Sequence, residues 1–287
     1  MAQEMFSSRV PTGKVYGGEG VRLEAKVEPL DSLIRISRSM DAPTQLAFMY
    51  RYGNILDLLK VRVHSTALIK LCQYWDVSLR CFTFPYFQLT PTIEEYGAIL
   101  RMPYKKKNPV YQYQGRLPSE AAIAKLLGIR TEEVEIVGNR QYKGISRSAI
   151  EARLLKMAKD GKWEGFQRIL ALAIYGIIIF PFSIGIIDLE AISVFQSVEY
   201  YKVNPIPAIL AETFMSLSYC HIKKKGRLRC CLALLEIWML SHMYDLERVP
   251  KYKKYLDTNP LREFRQIKEI DEMTEYDWES FFKQRIP

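Results

Sequence analysis

From about residue 29 onward, apolar positions recur at helical spacing along most of the chain. Gln45 to Leu59 is rich in apolar side chains. Leu68, Leu71, Cys72 and Trp75 then fall at i, i+3, i+4 and i+7, which places them on one face of a helix. The period changes between Arg80 and Phe87, where phenylalanines at alternate positions, Phe82 and Phe84, predict a short strand or extended segment. Thr90-Pro91 is a cap followed by proline at a first helical position, and Thr92 with Glu95 offers a capping box one register later; the helix they open runs to about Leu100. Pro118-Ser119 starts a short helix that Gly128 stops. Thr131 caps a further turn, and Val134 to Tyr142 reads as loose. Ser146 to Asp160 carries Ile150, Leu154 and Met157 on one face and ends at Gly161.

The most apolar helix is expected at Trp163 to Phe180. Asp188 caps another that runs to Tyr201. Pro205 to Ile222 and Leu228 to Leu246 are long helices joined by a basic turn. Tyr252 to Asp257 and Leu261 to Ile270 are weaker, and Thr274 with Asp277 caps a last helix to Gln284. The pattern predicts a mainly α, compact multi-helix globule with one small extended element near residues 80–87. Residues 1–28, with Gly13, Gly17, Gly18 and Gly20, read as a loose arm or a strand near Val21 to Val27. Residues 29–287 form the helical domain, divisible into a smaller lobe at 29–142 and a main core at 143–287. No repeat of solenoid length recurs.

Ile169 to Ile187 is free of charge, which meets the length of a membrane span. Gly176, Pro181, Ser183 and Gly185 interrupt it, and proline removes a helical donor. A buried helix ending near Phe180 is the better reading, with no membrane partner. The first twenty residues lack the basic start and apolar core of a secretory signal. Five cysteines, at 72, 81, 220, 230 and 231, are odd in number and irregular in spacing, which argues against a disulfide framework. A nuclear or cytoplasmic protein, not a secreted one, is expected.

With 287 residues the chain is long enough to bury a core without staples or metal. Its 41 basic and 32 acidic residues leave it at +9, a balance that favours acidic partners without choosing among them. Two runs concentrate that charge. Lys105, Lys106 and Lys107 precede Tyr111, Tyr113 and Arg116, interleaving cations with stacking surfaces as single-strand binders do. Lys223, Lys224, Lys225, Arg227 and Arg229 place five cations in seven residues with no acid between them. Nucleic acid, an acidic protein or nuclear targeting would use such runs. A solvated helix end, where cations also suit the dipole, is the plain alternative.

Catalytic patterns are lacking. Cys220, His221, Cys230, Cys231 and His242 could supply zinc ligands, but their spacing is not that of a finger, and core cysteines explain them better. His64, His221 and His242 allow a Cys-His pair without any protease signature. Gly17-Gly18-Glu19-Gly20 matches no phosphate cradle. The carboxylate pairs Glu94-Glu95 and Glu132-Glu133 sit at helix starts, where the dipole accounts for them. No catalytic residue, metal or cofactor is assigned.

Residues Trp75 to Leu100, WDVSLRCFTFPYFQLTPTIEEYGAIL, resemble the hallmark of the plant mobile domain superfamily, most closely an uncharacterised, legume-abundant branch related to the maintenance-of-meristems proteins. There, Trp-Asp leads to a Phe-containing strand, and Thr-Pro-Thr-hydrophobic-Glu-Glu opens a helix. Arg116-Leu117-Pro118 before Ala121 to Leu127, Pro181, Asp188, Phe195 and Glu236 to His242 extend the likeness over residues 45–245. It implies a domain shared with transposable elements, a nuclear role in transposon silencing or genome maintenance, and a phosphatase-like protein partner. The family's aminotransferase-like label finds no counterpart, since no lysine stands beside a phosphate-binding glycine loop. Leu100-Arg101-Met102-Pro103 replaces the Gly-Leu-Pro turn of the host proteins. Trp75, Phe82, Phe84, Pro91, Glu94, Glu95 and Tyr96 read as a strand-to-helix corner that determines the fold. The function expected is therefore a non-enzymatic interaction domain. A nucleic-acid-binding remnant of a mobile element and an enzyme with an unrecognised active site are the alternatives.

Overall fold

The computed structural model describes residues 22–102, 109–112, 116–140, 142–243 and 268–284. The chain starts with β1 (Arg22–Glu24), α1 (Asp31–Ser37) and α2 (Ala42–Tyr52). A 3-10 segment, Gly53–Lys60, follows, then α3 (Ser65–Cys72). The apolar stretch at Gln45 to Leu59 is thus broken at Gly53. There φ is +67°, and a Cβ would lie 2.3 Å from the Leu100 carbonyl oxygen, so a side chain cannot be accommodated.

The extended element is a three-stranded antiparallel sheet of β2 (Trp75–Asp76), β3 (Cys81–Thr83) and β4 (Gln88–Leu89), with Trp75 opposite Phe82 and Phe82 opposite Leu89. Next comes α4 (Ile93–Ile99), whose cap is Thr92, so the second of the two expected registers is adopted and Pro91 stays outside the helix. Then α5 (Glu120–Leu127) runs from its Ser119 cap to Gly128, as the sequence pattern predicts.

The segment expected to be loose contains β5 (Val137–Gly138), which pairs with β6 (Lys143–Ser146). α6 (Arg147–Lys159) and α7 (Trp163–Ile174) follow, and α7 ends in a π turn at Tyr175–Ile179. The chain then forms β7 (Ile186–Asp188), which pairs antiparallel with β6. The charge-free stretch is therefore divided among a helix, a turn and a strand. Among the described residues no helix is long and apolar enough to cross a membrane.

The rest is α8 (Leu189–Tyr201), capped by Asp188, then α9 (Ile206–Lys223), β8 (Lys225–Arg227) and α10 (Leu232–Met243). Last come α11 (Lys268–Asp271) and α12 (Glu275–Gln284). β8 returns to pair parallel with β1, confirming a strand within the expected N-terminal arm. The helix expected at Tyr252 to Asp257 lies outside the described residues. The fold is mainly α. One cluster of buried side chains runs from Ala25 to Phe282, with every residue from Phe166 to Phe180 that faces it, except the half-buried Arg168, buried.

Candidate interaction surface

The basic run at Lys223 to Arg229 is presented by the end of α9. Asn204 starts this helix by accepting from the Ile206 N–H at 2.9 Å, and Pro207 sits where its missing donor costs nothing. Eighteen residues at 1.5 Å each give roughly 27 Å. Ile206, Ile209, Leu210, Thr213, Ser216, Leu217 and Cys220 are buried at helical spacing. On that side Ser218 accepts from the Trp75 indole at 3.0 Å, and Phe214 packs 5.3 Å from the Trp75 ring.

Lys224 ends the helix in the left-handed conformation, φ 52°, a place glycine usually takes. Arg80, Arg101 and Lys202 are the other non-glycine residues with positive φ among the described residues, so all four are cations. Lys202 and Lys224 are both helix C-caps, where positive charge is favoured by the dipole. The dipole thus accounts for one cation at the end of α9 but not for five.

The five differ in placement. Lys223, Lys224, Lys225 and Arg229 are exposed. Arg227 is half-buried: its Nη2 donates to the Lys26 carbonyl at 3.3 Å, and burial pulls its pKa down. Arg227 therefore staples β8 to the segment after β1. The Leu228 N–H donates to the Glu24 carbonyl at 2.9 Å, and the Arg229 N–H to the Ser216 hydroxyl at 2.8 Å. These bonds tie the basic turn to β1 and the segment after it and, through Ser216, to α9. Lys223 and Lys225 make no ion pair among the described residues. Exposed lysines elsewhere do, as Lys60 with Asp57 at 3.0 Å shows.

The other basic run, Lys105 to Lys107, lies outside the described residues, as does Tyr113. The chain returns at Pro109 and Val110, which bridge to Asn204 at the start of α9, while Tyr111 is half-buried with its hydroxyl 3.5 Å from that of Ser193. Tyr111 is therefore anchored in the fold, at the opposite end of α9 from Lys223, and Arg116 is exposed.

The motif residues form a corner. Trp75 and Phe82 meet edge to face at 5.0 Å, Phe82 lies 5.7 Å from Trp238 of α10, and Phe84 stacks on Tyr74. Pro91 and Tyr96 are buried, while Glu94 is exposed. Glu95 does three things at once. Its carboxylate accepts from the Thr92 N–H at 2.9 Å, from the Trp238 indole at 3.1 Å and from His242 Nε2 at 2.8 Å. Burial pushes this carboxyl up, but the His242 and Thr92 bonds outweigh it and hold it below its usual value. A cap read as local thus also ties α4 to α10.

A second histidine network, across α10 from the first, has no forerunner in the sequence pattern. His64, just before α3, places Nδ1 2.8 Å from Glu236 Oε1 and Nε2 2.9 Å from Asp271 Oδ1. Glu236 is 0% exposed, and Asp271 also pairs with Arg62 at 2.7 Å. The Glu236 bond, above all, raises the imidazole pKa, while burial raises that of Glu236. The one carboxylate in Leu232 to Leu240, an otherwise apolar helix, was the available signal for a buried partner. Both ring nitrogens of His64 are engaged, so it staples α11 to the core.

All five cysteines are free and buried, and burial raises the pKa of Cys72, Cys220, Cys230 and Cys231. Their thiols are packing groups. Among the described residues, no three His, Cys, Asp or Glu side chains are grouped to hold a metal ion. An open groove of about 690 Å³ beside α5 is lined by Ser119, Glu120, Ile123, Val137, Lys143 and Leu189, which bring one serine, one acid and one lysine together without a histidine or cysteine.

No curated protein and no solved structure matches the chain. One family model does, over residues 33–284, which runs from within α1 to the end of α12. The chain belongs to that family, described as a domain of unknown function, DUF7745.

Proposed function

We propose that the chain is a non-enzymatic interaction domain that engages an acidic partner through the end of α9 and β8. The observation that carries this reading is the pairing state of the turn: Lys223 and Lys225 are exposed and unneutralised on a backbone held rigid by Arg227, Leu228 and Arg229. Preorganised cations lose less freedom on binding than cations on a loose loop. The plant-mobile-domain resemblance of Trp75 to Leu100 supports a nuclear setting linked to transposon silencing or genome maintenance, with a phosphatase-like protein as one candidate partner.

A single-stranded nucleic acid is the second reading. It is favoured by Tyr219, exposed on α9, whose ring lies 3.5 Å from where a Cβ on Gly226 would be, which puts an aromatic ring beside the basic turn. Four exposed cations on phosphates would give a slope of log affinity on log salt of roughly −3. The test is an affinity pull-down from plant nuclear extract, with and without nuclease, comparing the chain with a Lys223→Glu/Lys225→Glu/Arg229→Glu variant. Partners that survive nuclease and are lost with the variant support the protein-binding reading. Partners lost with nuclease support the second. Partners retained by the variant refute both.

A further inference from the structure

α9 carries an apolar stripe on its outer face that the fold leaves uncovered. Ala211, Met215, Tyr219 and Ile222 follow one another at i, i+4, i+8 and i+11, and all four are exposed. Met215 is 63%, Tyr219 59% and Ile222 62% accessible. The stripe spans about 16 Å, three turns of helix. It runs directly into Lys223, and the contact of Tyr219 with Gly226 makes it continuous with β8. Two acids adjoin this region: Glu212, half-buried on α9, whose charge interacts with that of Arg229, and Glu24 of β1, which stands opposite Arg227 in the β1–β8 register. One face therefore offers a row of apolar side chains that ends in cations.

We infer that α9 docks an acidic amphipathic helix of a partner protein, its apolar residues covering Met215, Tyr219 and Ile222 and its carboxylates meeting Lys223, Lys225 and Arg229. This rests on the reading of the basic turn given above. The shape favours a helix, because apolar anchors at three- and four-residue spacing are what a helix laid along another helix presents. The charge sets its sign, because a basic or neutral helix would leave the lysines facing like charge or nothing. Met215 and Ile222 favour protein over nucleic acid: aliphatic side chains offer neither stacking surface nor phosphate contact. A second exposed apolar pair, Leu46 and Tyr50 on α2, has no such partner signature, because the one cation of that helix, Arg51, is already engaged by Glu199.

The test uses the full chain as bait for a displayed library of 18-residue helical peptides in which apolar, acidic and basic positions vary independently. The enriched peptides are then titrated by fluorescence polarisation beside a 20-nucleotide single strand. Enriched peptides should be acidic, with apolar residues at i, i+4 and i+7. Met215→Ser/Ile222→Ser should weaken them at least tenfold, and Lys223→Glu/Lys225→Glu by a similar factor, with melting curves unchanged. If only the lysine variant weakens the peptides, the helix inference falls and the basic-surface reading stands. If the oligonucleotide binds and no peptide is enriched, the partner is nucleic acid and the inference is overturned. Binding insensitive to both variants, or no binding at all, removes the inference and the basic-surface reading together.

Discussion

Replacing His64 by alanine should destabilise the fold in a way that depends on pH, because it leaves Glu236 buried with no countercharge. With both carboxylates ionised, the two hydrogen bonds need protons on both ring nitrogens, which is the imidazolium form. His64 is raised above its unfolded value, mainly by its bond to Glu236. Its contribution is therefore complete below about pH 6.5 and is lost as pH rises through the folded-state value. In the variant the remaining group is Glu236, whose pKa burial pushes up. It can escape the desolvation penalty by taking a proton. An unfolded glutamate titrates near 4.3, so that proton costs about 3.7 kcal/mol at pH 7, about 2.3 at pH 6 and about 1 at pH 5. These are ceilings on the penalty. The pH 7 figure falls within the ~3–5 kcal/mol expected when one partner of a buried ion pair is removed.

The assay is urea denaturation followed by tryptophan fluorescence at pH 5, 6 and 7. Relative to the parent, His64→Ala should lose stability by up to about 1.4 kcal/mol per pH unit between pH 5 and about 6.5, the slope of one proton bound by the folded variant alone; above that the gap levels off, because the parent begins to lose the His64 contribution. Adding Glu236→Gln to His64→Ala should abolish the slope, because the titrating group is gone. A pH-independent loss, or a slope that survives Glu236→Gln, would refute the reasoning.

Three further outcomes follow from the same structure. Glu95→Ala removes an N3 cap and charge-assisted bonds to His242 and Trp238, and should cost about 3 kcal/mol and lower Tm by roughly 6–10 °C by calorimetry. Because the His242 and Thr92 bonds hold the Glu95 carboxyl below its usual value, that contribution should be present near neutral pH and be lost on acidification below about pH 4. Gly53→Ala should cost at least about 2 kcal/mol in chemical denaturation, from a positive φ and a clash with the Leu100 carbonyl. Met215→Ser and Ile222→Ser, on the exposed stripe, should each change stability by less than about 0.5 kcal/mol, which makes them clean binding variants.

What the chain makes legible before folding is what depends on neighbours in sequence. Thr92 with Glu95, Ser119 with Gly128, Asp188, and Thr274 with Asp277 all mark helix ends that the structure adopts, since cap and capped group lie within a few residues of each other. The alternation of Phe82 and Phe84 likewise located β3. β5 and β7 were missed because their pairing comes from β6, and Val137 and Ile187 look like connecting segments until Gly144 and Ile145 lie against them. The split of the basic run is equally non-local: Arg227 is drawn inward only because β1, two hundred residues earlier, lies beside it. His64 meets Glu236 and Asp271 across 172 and 207 residues, distances over which no periodicity speaks. Side chains that look like candidate ligands in the sequence, His242 above all, become fold contacts once Glu95 is placed.

The central claim is that partners bind at α9 and β8. Hydrogen exchange of the full chain, free and with the partner captured from nuclear extract, tests it most directly. Protection should rise over residues 211–229 and in β1, which pairs with β8, and stay level in α2, α5 and α6. Protection concentrated along the α5 groove or on the α2 face, with residues 211–229 unchanged, would contradict the account.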